Sequence, residues 1–568
     1  TVLEQDNDDG SFGATASSIA GTSLTQTGNH YFRVTGPGNG TIRPYDLHVK
    51  TQSGAPVAEM EPNDMAPNPL PASGWVTGSL SSATDFDPFT ITVNAGDTIF
   101  ASLDLDPTRN NTPWNGQLLI GPFGPTNTFL VINDTSTAAA NSEAFPLTIK
   151  NAGTYAVVVN APAGVTAVGD YNLSVSVHPA TPEGVNCQTY TSTDTPKPIP
   201  DLPGTVSSTI MIPPNIRIGD LDVSLNLSHT VPADLDITLT SPAGNTNAIL
   251  TDSGGVAGTN QTAWDVTLDD EATIPPVFTV LNGVHYQPRT GSRLDWYDGE
   301  NAGGMWTLTI ADDTATNTGT LNNWSMTICE PPPAPTCAGG TALRTIFGTD
   351  FELDNGGFTH AGTQDEWEYG RPTFAPITGC NSGMNCWKTD LDNTYNASST
   401  QNLVSVPINL TNRVGPVRLQ WAMKYQFESA SFDHAWVEVR EVGGANSRRV
   451  WEYIAPTMTA AIVTTTIQQS AGWGIYSADI TAYAGKQIEV VFHLDSDASN
   501  NYGGFAVDDV FVSACNPAFC GDGTVNGAET CDDANMMNGD GCDNNCTISA
   551  CGNGIPAGME ACDDGNMT

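Results

Sequence analysis

Leu221-Asp222-Val223-Ser224-Leu225-Asn226-Leu227 and Leu235-Asp236-Ile237-Thr238-Leu239 place an aliphatic residue at every second position and a polar one between. Successive side chains on a strand point to opposite faces, so a period of two describes strands with one face in a core and the other in water. Short alternating runs recur upstream in Asp87-Pro88-Phe89-Thr90-Ile91-Thr92-Val93, Thr98-Ile99-Phe100-Ala101-Ser102-Leu103 and Thr154-Tyr155-Ala156-Val157-Val158-Val159. Turn residues separate them, as in Asn94-Ala95-Gly96-Asp97 and Asn151-Ala152-Gly153. No segment carries a long amphipathic helical pattern. The fold class is therefore all-β: serial β-sandwich or jelly-roll domains, closed by a small disulfide-rich repeat tail.

At 568 residues, the chain has room for roughly three to five domains of about 100–200 residues each. It has 19 Lys plus Arg against 62 Asp plus Glu, a net charge of -43, yet only 14% charged residues. An average soluble domain has about 25%. The acidity thus comes from missing base. Such a chain repels polyanions, which argues against nucleic acid as a partner and points to counter-cations. Hydrophobic content of 39% with 12 Trp supports real cores. No apolar run reaches about 18 residues, so no transmembrane segment is expected.

Internal repeats and cysteines set the domain limits. Gly28-Asn29-His30-Tyr31-Phe32-Arg33-Val34 matches Gly153-Thr154-Tyr155-Ala156-Val157-Val158, and Tyr45-Asp46-Leu47-His48-Val49 matches Tyr171-Asn172-Leu173-Ser174-Val175. Residues 1–50 read as the C-terminal part of a sandwich whose complete copy spans 55–178. Near the other end, Cys520-Gly521-Asp522-Gly523 recurs as Cys551-Gly552-Asn553-Gly554, and Cys531-Asp532-Asp533-Ala534-Asn535 as Cys562-Asp563-Asp564-Gly565-Asn566. Residues 520–568 are thus a Cys-rich repeat and a truncated second copy, and the sequence is expected to be a piece of a longer chain. Cys187 with Cys329 and Cys337 with Cys515 bracket segments 187–329 and 337–515, which suits staples joining two ends of a sandwich. The spacing of Cys380 and Cys386 suits a small loop bridge. An even count of 12 Cys in a Lys-poor β-rich chain reads as oxidised and extracellular, either secreted or attached to the cell surface. No Cys-x-x-Cys pair speaks for zinc. Glu330-Pro331-Pro332-Pro333-Ala334-Pro335 is a stiff spacer.

Glu59-Met60-Glu61-Pro62-Asn63-Asp64, followed by Gly78-Ser79-Leu80 and Asp85-Phe86-Asp87, resembles the bacterial pre-peptidase C-terminal domain, whose relatives include the collagen-binding domains of clostridial collagenases. Chemically, Glu59, Glu61, Asn63 and Asp64 form a dense run of hard oxygen donors. Clustered carboxylates without a basic neighbour repel one another unless a cation sits among them. The resemblance implies that this segment binds Ca2+ together with Asp85 or Asp87. Without it, the run reads as a solvated acidic linker.

The segment 187–329 resembles the P domain, also called Homo B, of proprotein convertases and many bacterial peptidases. The resemblance rests on His229, Asp234 to Leu239, Ser241-Pro242-Ala243-Gly244, Gly303-Gly304-Met305-Trp306-Thr307-Leu308-Thr309-Ile310, Asp312 and Gly319 to Trp324. It implies a jelly roll that packs on a catalytic domain or folds beside it. His229, Asp234 and Ser241 invite comparison with a catalytic triad, but no Gly-x-Ser-x-Gly elbow is present. Trp306 and Trp324 sit in alternating strands and read as core. Asp295, Asp298 and Glu300 read as a solvated Gly-rich loop that also carries calcium-type donors.

Segment 337–515 is similar to the MAM-like jelly roll behind secreted metallopeptidases of the immune-inhibitor type. The matching residues are Asp350-Phe351-Glu352, Trp367-Glu368-Tyr369-Gly370, Asp433 to Val439, and Gly504 to Val510. The resemblance implies that first and last strands lie side by side, bringing Asp350, Glu352 and Asp508 to one Ca2+. The alternative is that these acids cap strand ends through backbone hydrogen bonds. The tail resembles a Cys-rich repeat common in myxobacterial surface proteins. Its Asp532, Asp533, Asn535, Asp540 and Asp543 offer metal donors outside any EF-hand spacing.

None of the eight His residues forms His-Glu-x-x-His, and no P-loop or dinucleotide fingerprint is present. No catalytic residue is recognisable, so whether the chain belongs to an enzyme stays open at this level. The resemblances imply a non-catalytic, calcium-binding region that targets and stabilises a secreted multidomain peptidase. The catalytic domain, of serine or zinc type, would lie upstream, outside this chain. Partners would be extracellular matrix, a cell surface or a polymer substrate. The rival expectation is an adhesin or filament protein assembled from the same parts, with no catalytic domain.

Overall fold

The computed structural model describes residues 19–21, 24, 26–35, 47–63, 66–110, 113–124, 130–133, 142–180, 184–202, 204–250, 263–274, 283–288, 293–331, 336–337, 341–411, 413–430, 432–453, 467–470, 472–517, 520–521, 525, 529–556 and 563. Strand dominates, as the period of two requires. Among the described residues, helix is confined to the short 3-10 turns Pro232–Asp234, Leu294–Tyr297 and Thr481–Tyr483.

The first sandwich has two five-stranded sheets. One runs Val57–Ala58, Trp75–Ser79, Asp170–His178, Thr98–Asp104, Ser142–Thr148. The other runs Asn68–Pro69, Phe86–Val93, Gly153–Asn160, Gln117–Pro122, Leu130–Asn133. Val76, Ile99, Leu103 and Leu173 face Phe89, Leu118, Val157 and Val159, all buried. Among the described residues of 19–50 no strand forms, and Tyr31 and Phe32 stand exposed. Their sequence counterparts lie in strands buried by a facing sheet, and a strand without a partner is not stable in water.

In the second sandwich, Gly319–Glu330 pairs with Val185–Thr191, Lys197–Ile199 and Asp220–His229, and Ala263–Leu268 and His285–Tyr286 follow outward. The opposing sheet runs Thr205–Ile212, Gly304–Asp312, Leu235–Thr240, Thr246–Leu250. The opening motif behaves as its pattern predicts: Leu221, Val223, Leu225, Leu227, Leu235, Ile237 and Leu239 are all buried. Trp306 and Trp324 are core, their indole N–H groups donating to Ala302 O at 2.8 Å and Ser208 Oγ at 2.7 Å. Cys187 is bonded to Cys329. The first and second sandwiches touch where Ile149 bridges Val284 and Lys150 Nζ reaches Asp265 Oδ1 at 2.7 Å and Val266 O at 3.0 Å.

The third sandwich, a separate compact unit, has a seven-stranded and a six-stranded sheet. Its first strand Thr341–Thr349 pairs antiparallel with its last, Gly504–Pro517, as expected for a jelly roll. The core is aromatic, with Tyr425, Phe427, Tyr453 and Phe505 in mutual stacked and edge contacts. Cys337–Cys515 and Cys380–Cys386 form as the spacing suggested, and the tail is held by Cys520–Cys546 and Cys531–Cys542.

Candidate metal centre

The acidic segment lies at one end of the first sandwich, between its two sheets. Glu59 continues the short strand Val57–Ala58, its N–H donating to Thr77 O at 3.0 Å. Asp87 occupies an inward position of Phe86–Val93 on the opposite sheet, two residues before the core residue Phe89, and is fully buried. Tyr171 spans the gap. Its hydroxyl lies 2.8 Å from Glu59 Oε2 and 2.7 Å from Asp87 Oδ2, so its one proton serves either carboxylate. One oxygen each from Glu59, Glu61 and Asp87 lies within 4.8 Å of the other two.

The surrounding groups hold this constellation in place. Ser79 N–H donates to Glu59 Oε1 at 2.7 Å, and Asn63 N–H to Glu61 Oε2 at 2.9 Å. Asn68 Nδ2 holds the Met60 carbonyl at 3.1 Å. Gly78 pairs with Tyr171 in the ladder, and a Cβ there would lie 2.6 Å from Glu59 Cδ and collide with the Tyr171 hydroxyl. Glycine is thus what lets the strand pass beneath the carboxylates.

Two observations ask for something more in this cradle. Asn63 Oδ1 and Asp87 Oδ1 are buried and have no hydrogen-bond partner, although buried polar atoms are nearly always satisfied. Burial, then the neighbouring Glu59 and Asp85, push Asp87 up to about 8, against the pull of Tyr171's hydrogen bond. Burial, then Asp87 and Glu59, also push Tyr171 up. Three carboxylates and an amide oxygen are the hard donors that Ca2+ accepts, so the residues present fit that ion.

Of the segment's expected ligands, then, Glu59, Glu61 and Asp87 meet. Asn63 stands beside them, its Nδ2 3.4 Å from Glu59 Oε2. Asp85 is turned to the Ser81 N–H at 2.5 Å. Asp64 lies outside the described residues. Both acids are buried, but Asp87 lies within the strand Phe86–Val93 while Asp85 precedes it, and that place in the strand is what sets Asp87 apart.

In the third sandwich the expected trio does not form such a group. Glu352 Oε1 accepts from the N–H groups of Met384 and Asn385 at 2.8 and 2.7 Å. Asp508 accepts from Ser382 N–H at 3.0 Å and Asp509 N–H at 2.8 Å. Asp350 is exposed and accepts from Glu352 N–H at 3.2 Å. The capping alternative describes these contacts.

In the second sandwich, Asp295 has the Arg293 guanidinium 3.0 Å away. His229 Nε2 faces Asp312 Oδ2, 3.2 Å away, and Nδ1 is hydrogen-bonded to the Val231 backbone, an arrangement that does not turn the ring to Ser241. In the tail, Asp532 accepts Gly521 N–H at 2.9 Å and its repeat counterpart Asp563 accepts Gly552 N–H at 2.7 Å, so this acid shapes a turn in both copies.

Comparison with known proteins bears on the class. Residues 218–328 match the family model described as the proprotein convertase P-domain. Residues 511–547 match one described only as a domain of unknown function (DUF4215). The chain is therefore similar, through its second sandwich, to the accessory regions that accompany peptidases. Bacillopeptidase F of Bacillus subtilis (strain 168) is 32% identical to it over 164 residues, which is 29% of this chain and 10% of that protein. The chain thus spans about a tenth of the relative's length. Among solved structures, a cleaved adhesin domain of Lys-gingipain from Porphyromonas gingivalis aligns at 17% identity and a TM-score of 0.21, covering 31% of this chain and 99% of that one. The pre-peptidase C-terminal domain of a Bacillus anthracis collagenase aligns at 17% identity and 0.15, covering 22% and 100%. A serine protease of Aeromonas sobria aligns at 20% identity and 0.18, covering 27% and 28%. No helix among the described residues is long and apolar enough to cross a membrane.

Proposed function

We propose that this chain is the non-catalytic, calcium-binding part of a secreted peptidase whose catalytic domain lies outside it. The P-domain match over residues 218–328 carries this reading. The disulfides support it, since they persist in oxidising compartments. On this reading, Glu59, Glu61, Asn63 and Asp87 hold one Ca2+, which neutralises their mutual repulsion. Ser79, Asn68 and Tyr171 orient those ligands before the ion arrives. The cation ties the acidic segment to both sheets of the first sandwich, and the sandwiches hold the enzyme on matrix, cell surface or polymer substrate.

The test uses the full chain. Binding to insoluble collagen and to other fibrous protein substrates is measured with calcium and with chelator, alongside casein hydrolysis. Calcium-dependent retention without hydrolysis is the expected result. Hydrolysis by the chain itself, or no retention on any surface in calcium, would sink the proposal.

A further inference from the structure

A second cluster, unrelated to the first, lies at one end of the third sandwich. Glu428 closes the strand Val414–Glu428, Asp433 directly precedes His434–Glu441, and Asp497 follows Gln487–Asp495. One carboxylate oxygen from each lies within 4.8 Å of the other two. Glu428 is 3% exposed and Asp433 0%.

The donors that reach these acids are uncharged. The buried Tyr395 hydroxyl donates to Asp433 Oδ2. Asp497 N–H donates to Asp433 Oδ1 at 3.0 Å, and Ser499 N–H to Asp497 Oδ1 at 2.8 Å. Asn500 Nδ2 donates to Glu428 Oε1 at 2.7 Å. Glu428 Oε2 is buried and has no hydrogen-bond partner, and Asn501 Oδ1, next in the chain, is in the same position.

Exposed acids often cluster without binding anything. This group differs because two of its carboxylates are out of water and one buried oxygen has no donor. Leaving an acceptor buried and unsatisfied costs the full desolvation of that group. A proton or a cation would relieve it. The donors are oxygen only, with no thiolate or imidazole, which selects a hard cation. They come from the two ends of one loop and from a second loop, and calcium's larger, irregular shell suits such a set better than magnesium's strict octahedron.

We propose that Glu428, Asp433 and Asp497 form a second Ca2+ site, which joins two loops at the rim of the third sandwich. Tyr395 acts there as a positioning residue through its hydrogen bond to Asp433.

The metal-stripped full chain is titrated with CaCl2 by calorimetry, and with Tb3+ while tyrosine is excited. Tyr395 stands against Asp433, so a lanthanide in this site is sensitised. Glu428→Gln should bind one Ca2+ fewer than wild type and lose that luminescence component. Asp87→Asn should leave the component intact. Wild-type stoichiometry in Glu428→Gln would show that a proton satisfies the cluster and overturn the site. Should Glu428→Gln not fold, Asp497→Asn, which is half-buried, should weaken the same site at least tenfold. Unchanged affinities in Asp497→Asn would equally overturn it. Loss of binding in Asp87→Asn alone would leave the first site standing and this one refuted.

Discussion

Replacing Asp87 by Asn tests the first metal centre through its pH dependence. The substitution keeps the shape of the side chain and an oxygen for the Tyr171 hydroxyl, which lies 2.7 Å away. It removes the charge. In the unfolded chain an Asp ionises near 3.8, while in the folded chain burial and the Glu59 carboxylate hold Asp87 to about 8. Between those values the folded state keeps a proton that the unfolded state has released. Stability without metal is therefore fully present below about pH 4 and is lost as pH rises towards 8. A gap of about four pH units, at ~1.4 kcal/mol per unit, sets a ceiling near 6 kcal/mol. Solvent reaches Glu61 at the rim and screens part of this, so about 3 kcal/mol is the working figure. For a sandwich of this size that is on the order of 10 °C in melting temperature. Scanning calorimetry of the full chain in chelator should show one transition falling by about that amount from pH 5 to pH 9. Calcium should restore it. In Asp87→Asn the same transition should be flat with pH, higher than wild type at pH 9 in chelator, and indifferent to calcium. A flat metal-free wild type, or an Asp87→Asn chain that keeps its calcium response, would refute the reasoning.

Three further outcomes follow from the contacts. Gly78→Ala should destabilise the first sandwich by about 2 kcal/mol through overpacking and weaken calcium binding by calorimetry at least tenfold, because the new methyl meets Glu59 and Tyr171. Asp312→Ala should lower stability by about 3 kcal/mol, read as a lower urea midpoint, because it strips a partner from the fully buried His229. Replacing Cys187 and Cys329 by Ala opens a loop with a sequence separation of 142 and should cost up to roughly 5 kcal/mol by loop entropy. Urea unfolding of the double variant checks this, and an unchanged midpoint would count against it.

Much of the fold was legible because burial on a strand is a local, period-two property. Leu221 to Leu227 and Leu235 to Leu239 face the core as their alternation requires. The three disulfides outside the tail followed from where their cysteines bracket or interrupt sandwiches. The sites were legible only in part. The segment Glu59 to Asp64 declared itself by density of acid, but Asp87 needed its register and Tyr171 needed its place across the sandwich. Asp350, Glu352 and Asp508 looked convergent because the first and last strands do pair. The carboxylates of Glu352 and Asp508 instead turn to N–H groups of the Cys380–Cys386 loop and that of Asp350 to the Glu352 N–H, a choice set by loop backbone. Glu428, Asp433 and Asp497 went unread as a site because they terminate or flank different strands and share no motif.

The sequence alone thus determined the strand class, the cysteine staples, the acidic balance and the first segment of metal-type donors. Each of these depends on residue type and short-range spacing. Which carboxylates stand within 4.8 Å of one another, and which buried oxygens lack a donor, was decided by tertiary structure. Sheet packing fixes which strand ends share one rim, and loop backbone fixes whether an acid there meets an N–H group or another acid.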